Sequence, residues 1–140
     1  MKRIALLLVL CCTLALVSQE KPYTSLVVDA SHLELERSES PKILSERGYE
    51  VYGTIFDNLD KALDMGLFFY VTSLDQAKKW DKARVGDNPL VVKAKKVTGV
   101  AGTDLVLADL DALKILKENK TARFLENFKV IVILAPSVDE

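Results

Sequence analysis

The run Lys129-Val-Ile-Val-Ile-Leu134 constrains this chain more than any other segment. Five consecutive apolar residues leave no polar alternation, so neither side of a strand built from them can face water. Such a strand sits at the centre of a sheet covered on both faces. Everything else in the chain must supply that cover.

The remaining segments read as suitable partners. Ser25 to Ala30 is rich in β-branched residues and predicts a strand. Ser31 to Ser40 is polar and predicts a loop or irregular edge. Pro41–Ser45 and Tyr49–Ile55 flank Glu46-Arg47-Gly48, and Gly48 supplies the positive φ of a tight turn, so a hairpin is expected. Two-residue alternation places Tyr49, Val51 and Ile55 on one face. A helix from Asp57, with Leu59, Ala62 and Leu63 inward, stops at Gly66. Leu67–Val71 predicts a strand. Ser73-Leu-Asp-Gln76 is a capping box opening a helix to about Ala83, with Leu74, Ala77 and Trp80 inward. Gly86-Asp-Asn-Pro89 is a turn, and Leu90–Val97 and Thr103–Leu107 predict strands joined through Gly99–Gly102. A helix from Asp109 carries Leu110, Leu113, Leu116 and Ile115 inward, with a break at Asn119-Lys120 before a second piece bearing Phe124, Leu125 and Phe128. The expectation is a single small α+β domain over residues 24–135, a mixed sheet of five to seven strands with about three helices.

The start of the chain reads differently. Met1-Lys2-Arg3 precedes Ile4–Val17, a stretch of 14 residues interrupted only by Thr13, and Ser18-Gln19-Glu20 follows. A basic start, a short apolar segment and a polar exit form the layout of a secretory signal, assigned here to residues 1–18, with a cut after Ser18 or Gln19. The stretch is shorter than the roughly 20 residues a spanning helix needs. Both cysteines, Cys11 and Cys12, fall inside it, so the exported domain would hold itself together without disulfides. Leu10, before Cys11, does not fit the small residue that precedes a lipid-acceptor cysteine. Without Lys2 and Arg3 the 19 basic residues fall to 17 against 20 acidic, a net charge of −3. That balance offers no attraction for nucleic acid, and Lys93-Ala-Lys-Lys96 reads as a solvated strand edge.

With one histidine and no cysteine beyond the leader, the chain lacks a thiolate nucleophile and a Cys/His zinc set. It has no Gly-x-Ser-x-Gly elbow, phosphate loop or dinucleotide fingerprint. Asp29, His32, Glu34 and Glu36 would be the material for a metal or acid–base site. Alternation instead puts His32, Glu34 and Glu36 on one solvated face. Asp57, Asp60 and Asp64 recur at helical spacing, which a helix start explains without a ligand. Trp80 with Phe68, Phe69 and Tyr70 could make an aromatic platform, although such residues are more often core. No catalytic, cofactor-binding or metal-binding residues are assigned, and no cofactor is expected.

Six phrases taken in order carry a family resemblance: Leu26-Val-Val-Asp-Ala30, Pro41-Lys-Ile-Leu44, Gly48-Tyr-Glu-Val-Tyr-Gly53, Val85-Gly-Asp-Asn-Pro-Leu-Val-Val-Lys-Ala94, Thr103-Asp-Leu-Val-Leu-Ala-Asp109, and Phe124–Leu134. From Thr24 to Leu134 the chain resembles the C-terminal portion of the twenty-kilodalton outer-membrane lipoprotein family, which includes flagellar FlgP-like envelope proteins. Gly48, Gly53 and Pro89 match that pattern at turns. The resemblance implies a non-enzymatic structural or interaction protein of the cell envelope, periplasmic or associated with the outer membrane, and linked to flagellar or outer-membrane assemblies. Its partners would be other envelope proteins or copies of itself, with no nucleic acid, and any membrane association would not use a transmembrane helix. The alternative from the residues is a periplasmic small-ligand binding domain using Trp80 and the Phe68–Tyr70 cluster. A third is a hydrolase or metal enzyme built on His32.

Overall fold

The terminal apolar run lies where its composition demands. In the computed structural model, which describes residues 21–54 and 58–138, it forms β8 (Val130–Ile133), between β1 (Ser25–Asp29) and β4 (Phe69–Val71). With β5 (Pro89–Lys93) they make a four-stranded sheet in the order β4-β8-β1-β5, every neighbour parallel. Residues 1–18, read from sequence as a secretory signal, and Ile55 and Asp57 lie outside the described residues.

The second sheet contains β2 (Ile43–Ser45), β3 (Glu50–Tyr52), β6 (Lys96–Thr98) and β7 (Asp104–Leu107), in the order β3-β2-β7-β6. β2 and β3 are the expected hairpin, antiparallel around Gly48 at φ +93°. β6 and β7 are a second hairpin, and β2 pairs with β7 in parallel. Four helices are described: α1 (Leu59–Met65), α2 (Leu74–Trp80), α3 (Lys82–Val85) and α4 (Asp109–Ala122). The described residues thus form one α+β domain.

The two faces of the first sheet feed different clusters. Val27, Val71 and Ile131 point to Ala77 of α2 and Val85 of α3. Leu26, Val28, Leu90, Val130 and Val132 point the other way. There they meet Ile43, Leu105 and Leu107 of the second sheet, Ile115 of α4, and Phe124. Burying a side chain of this kind contributes about 1.5–3 kcal/mol, so this larger cluster is the main stabilising mass.

Several expectations need correction. Leu90–Val97 is not one strand: the chain leaves the first sheet at Ala94, whose N–H donates to Asp29, and enters the second at Lys95, whose N–H donates to Val106. One bent segment therefore serves both sheets. The helix expected through Ala83 divides at Asp81, whose carboxylate accepts the Arg84 N–H (3.1 Å) and starts α3. Ser73 does cap α2 by accepting the Gln76 N–H (3.0 Å), while the Gln76 carboxamide reaches Thr72 rather than the serine amide. Trp80, expected inside, is 62% exposed, and Tyr49 is exposed while Val51 is buried.

α4 is rotated from its expected orientation. Residues three apart on a helix precess by about 60°, so Leu110, Leu113 and Leu116 spiral around the surface instead of forming a stripe. Ala112, Ile115 and Asn119 face inward; Leu110 and Leu113 are exposed and Leu116 lies between. The helix also runs past Asn119 to Ala122 without the expected break. On α1 only Ala62 is buried, and Leu59 and Leu63 are exposed.

Candidate functional site

The residues nominated from sequence do not converge on a catalytic centre. His32 Nε2 donates to the Ala94 carbonyl (2.8 Å), tying the Ser31–Ser40 loop to the point where the shared segment bends. Asp29 accepts both the amide and the hydroxyl of Ser31 (3.0 and 2.6 Å), and those bonds hold its carboxyl below the ordinary value of 3.8. Glu34 and Glu36 are exposed, while Leu33 and Leu35 pack on the core, so the alternation read from sequence is present. Among the described residues no group of three or more His, Cys, Asp or Glu side chains is placed to hold a metal. Asp60 and Asp64 are exposed on α1.

The aromatic residues also part company. Phe68 and Tyr70 turn to the larger cluster, where Tyr52 stacks on Phe68 (6.1 Å) and Phe68 meets Tyr70 edge-on (5.6 Å). Phe69 turns to the opposite face, and Trp80 stands in solvent on α2. Asp87-Asn88-Pro89 is a turn clamped to the start of β1: the Asn88 amide donates to Thr24 Oγ1 (2.9 Å), and the Thr24 and Ser25 hydroxyls donate to the Val85 carbonyl. Lys95 bonds Glu46, and this contact lowers the Glu46 pKa and raises that of Lys95.

Two arrangements were invisible in the sequence. The first is Arg84, only 6% exposed, which has no carboxylate in an ion pair with it among the described residues. Its guanidinium donates to three backbone carbonyls, Phe128 (2.8 Å), Met65 (2.9 Å) and Gly66 (2.9 Å), and lies over the Phe69 ring at 5.2 Å. Burial pushes its pKa down, yet a guanidinium stays charged in proteins. It fastens the last carbonyls of α1, where a helix end is partially negative, to the turn before β8.

The second is a cleft of about 520 Å³ between β3, the C-terminal half of α4 and the turn that follows it. Tyr52, Leu116, Leu125 and Phe128 supply its apolar lining, and Glu50, Asn58, Arg123 and Glu126 are among its polar residues. Three non-glycine residues with left-handed backbone, Asn58 (φ +60°), Arg123 (φ +56°) and Phe128 (φ +57°), all line it. Such a conformation is uncommon for a bulky residue. Phe128 is held in it by its bonds to Arg84 and, through its amide, to the Leu125 carbonyl (3.1 Å). Buried Asn119 completes the support, donating to both Glu126 oxygens (2.9 and 3.0 Å) and accepting the Leu125 amide (2.9 Å). The sequence does not single out Arg84 and marks Asn119 only as a helix break, since both roles depend on carbonyls, amides and a carboxylate brought from elsewhere.

The outer surface carries the other distinctive feature. Leu59 and Leu63 of α1, and Leu110 and Leu113 of α4, are exposed, Leu110 at 81%. Residues 25–136 match the family model described as Treponema pallidum Tp0624, second domain. The chain belongs to that family. No curated protein matches it. The matched span opens on the first residue of β1 and closes just beyond β8, so the Tp0624 second-domain unit coincides with the two-sheet domain. Among its described residues no helix is long and apolar enough to cross a membrane.

Proposed function

We propose that this member of the Tp0624 second-domain family is an exported, non-enzymatic structural or interaction protein of the cell envelope. It would act by contact with other envelope proteins in flagellar or outer-membrane assemblies. The observation that carries the reading is the exposure of the Leu59/Leu63 and Leu110/Leu113 pairs on two helices whose other sides are packed. Exposed apolar pairs on a small folded domain mark contact surfaces more readily than reaction centres. The basic and apolar leader supports export, and the ordered resemblance to outer-membrane lipoproteins supports the envelope as the destination.

The test uses cells that make the whole chain. Fractionation locates the protein, and in-cell crosslinking compares it with a Leu110→Asp/Leu113→Asp variant. The reading expects envelope fractionation, crosslinked partners lost in the variant, and altered swimming in a deletion strain. A cytoplasmic protein, or a crosslinking pattern unchanged by the double variant, overturns it.

A second reading, a small-ligand binding domain, is favoured by the cleft, which all three left-handed non-glycine residues among the described ones line. It predicts that Leu116→Trp, which narrows the cleft, abolishes capture of a small amphipathic molecule from envelope extract while the fold is kept. Equal capture by both forms removes it.

A further inference from the structure

β5 forms one border of the first sheet, and no described strand pairs with its outer side. The direction of its backbone groups follows from Ala94, whose N–H donates to Asp29 of β1 (3.0 Å). Backbone groups alternate sides along a strand. Leu90 and Val92 therefore bond β1, and the N–H and C=O of Val91 and Lys93 point away from the sheet. Val91 is also 53% exposed, between two buried neighbours. An open edge with an apolar residue at its middle is a template for another strand.

We propose that β5 is where two copies of this chain pair, antiparallel and centred on Val91, joining two four-stranded sheets across a twofold axis. The charges select a second copy and this direction. Asp87 lies just before β5 and Lys93 at its end; both are exposed, and neither is in an ion pair among the described residues. A strand with opposite charges at its two ends is complementary to itself when reversed, and a parallel arrangement would set lysine on lysine. In the centred register, the Val91 residues exchange both backbone bonds. Lys93 of each copy faces Pro89 of the other, at the end of that strand where the turn before Pro89 carries the exposed Asp87. Pro89 lacks an N–H, but its carbonyl accepts the Lys93 amide. Lys95 does not interfere, because the chain has by then turned into the second sheet and this lysine bonds Glu46. Such a twofold contact is closed: it makes a dimer and stops. The inference depends neither on export nor on the leucine pairs.

The test is sedimentation of the protein purified from cells that express the whole chain, over a range reaching about 100 μM. The wild type is expected to be dimeric at the upper end. Val91→Lys, Lys93→Glu and Asp87→Lys each place like charges against each other and are expected to raise the dimer Kd about tenfold. The double variant Lys93→Glu/Asp87→Lys restores the opposite pairing and is expected to return Kd to near the wild-type value. Leu110→Asp is expected to leave Kd unchanged, which separates this contact from the proposed partner surface. All four positions are exposed, and circular dichroism checks that each variant is folded. A wild type that stays monomeric throughout overturns the proposal. So does a dimer unmoved by the three single charge changes, or a double variant no tighter than its parents.

Discussion

Arg84→Met removes a buried charge and leaves its aliphatic packing, which makes it the sharpest probe of the fold. The three carbonyls that Arg84 serves lie 2.8, 2.9 and 2.9 Å from its nitrogens. Hydrogen bonds from a charged donor contribute about 1.5–3 kcal/mol each, about 4.5–9 together. Against that stands the cost of taking a guanidinium out of water, several kcal/mol. Methionine removes both terms and leaves the carbonyls without their donor. The Phe128 carbonyl is deeply placed and would lose about 1–3 kcal/mol, while Met65 and Gly66 sit nearer the surface and lose less. Loss of the contact with Phe69 adds about 1 kcal/mol. The expected destabilisation is about 3–5 kcal/mol, a large share of the roughly 5–15 kcal/mol that holds a domain. Urea unfolding followed by far-ultraviolet circular dichroism measures it, and the midpoint should fall by about 2 M. Arg84→Lys, with one point donor for three acceptors, should lose about half as much. A methionine variant within about 1 kcal/mol of wild type would refute the reasoning, because water would then satisfy those carbonyls as well as the guanidinium does.

Acid should weaken the fold in a defined window. Asp29, held by Ser31, and Glu50, held by Thr54 and Lys42, have carboxyl pKa values lowered from 3.8 and 4.5, so their contribution is complete above those values and fades as pH falls below them. Urea midpoints should therefore be flat from pH 7 to about 5 and decline below about 4.5, more shallowly in Asp29→Asn. Phe124→Ala should cost about 3–5 kcal/mol, whereas Trp80→Ala, despite removing the chain's one tryptophan, should change stability by less than about 0.5 kcal/mol; the same titrations decide. Gly86→Ala should cost more than about 2 kcal/mol, since Gly86 has φ +70° and a Cβ there would run into the Thr24 side chain that ties β1 to Val85.

Local chemistry made much of the architecture legible. The five-residue apolar run read as a covered strand, Gly48 as the turn of a hairpin and Ser73 as a helix cap, and each takes that place. Leu33 and Leu35 kept their alternation even outside a strand. Helix orientation was less accessible. Leucine spacing alone gave α4 the wrong inner face because Ala112 and Asn119, one small and one polar, hold the positions that meet β2 and β3. Asn119 can be buried only because Glu126 and the Leu125 amide return to it from the following turn. Arg84 belongs to the same class. A cation satisfied by carbonyls from residues 65, 66 and 128 leaves no spacing to recognise. The bend at Ala94-Lys95 was hidden because both halves of that segment are good strand sequence.

The centre of the first sheet sets a timetable for folding. β1 is among the first described segments to be synthesised and β8 the last, yet the two lie side by side, with Leu26 in register with Val130 about 100 residues later. β1's other neighbour, β5, arrives only after more than half of the chain. A nascent chain can therefore close its hairpins early, but it has no sheet centre to condense on until its final strand appears. Such long-range closure makes for slow assembly. It also means that a chain still being made can hold its hairpins and its second sheet, but cannot complete the first sheet until almost the last residue has emerged.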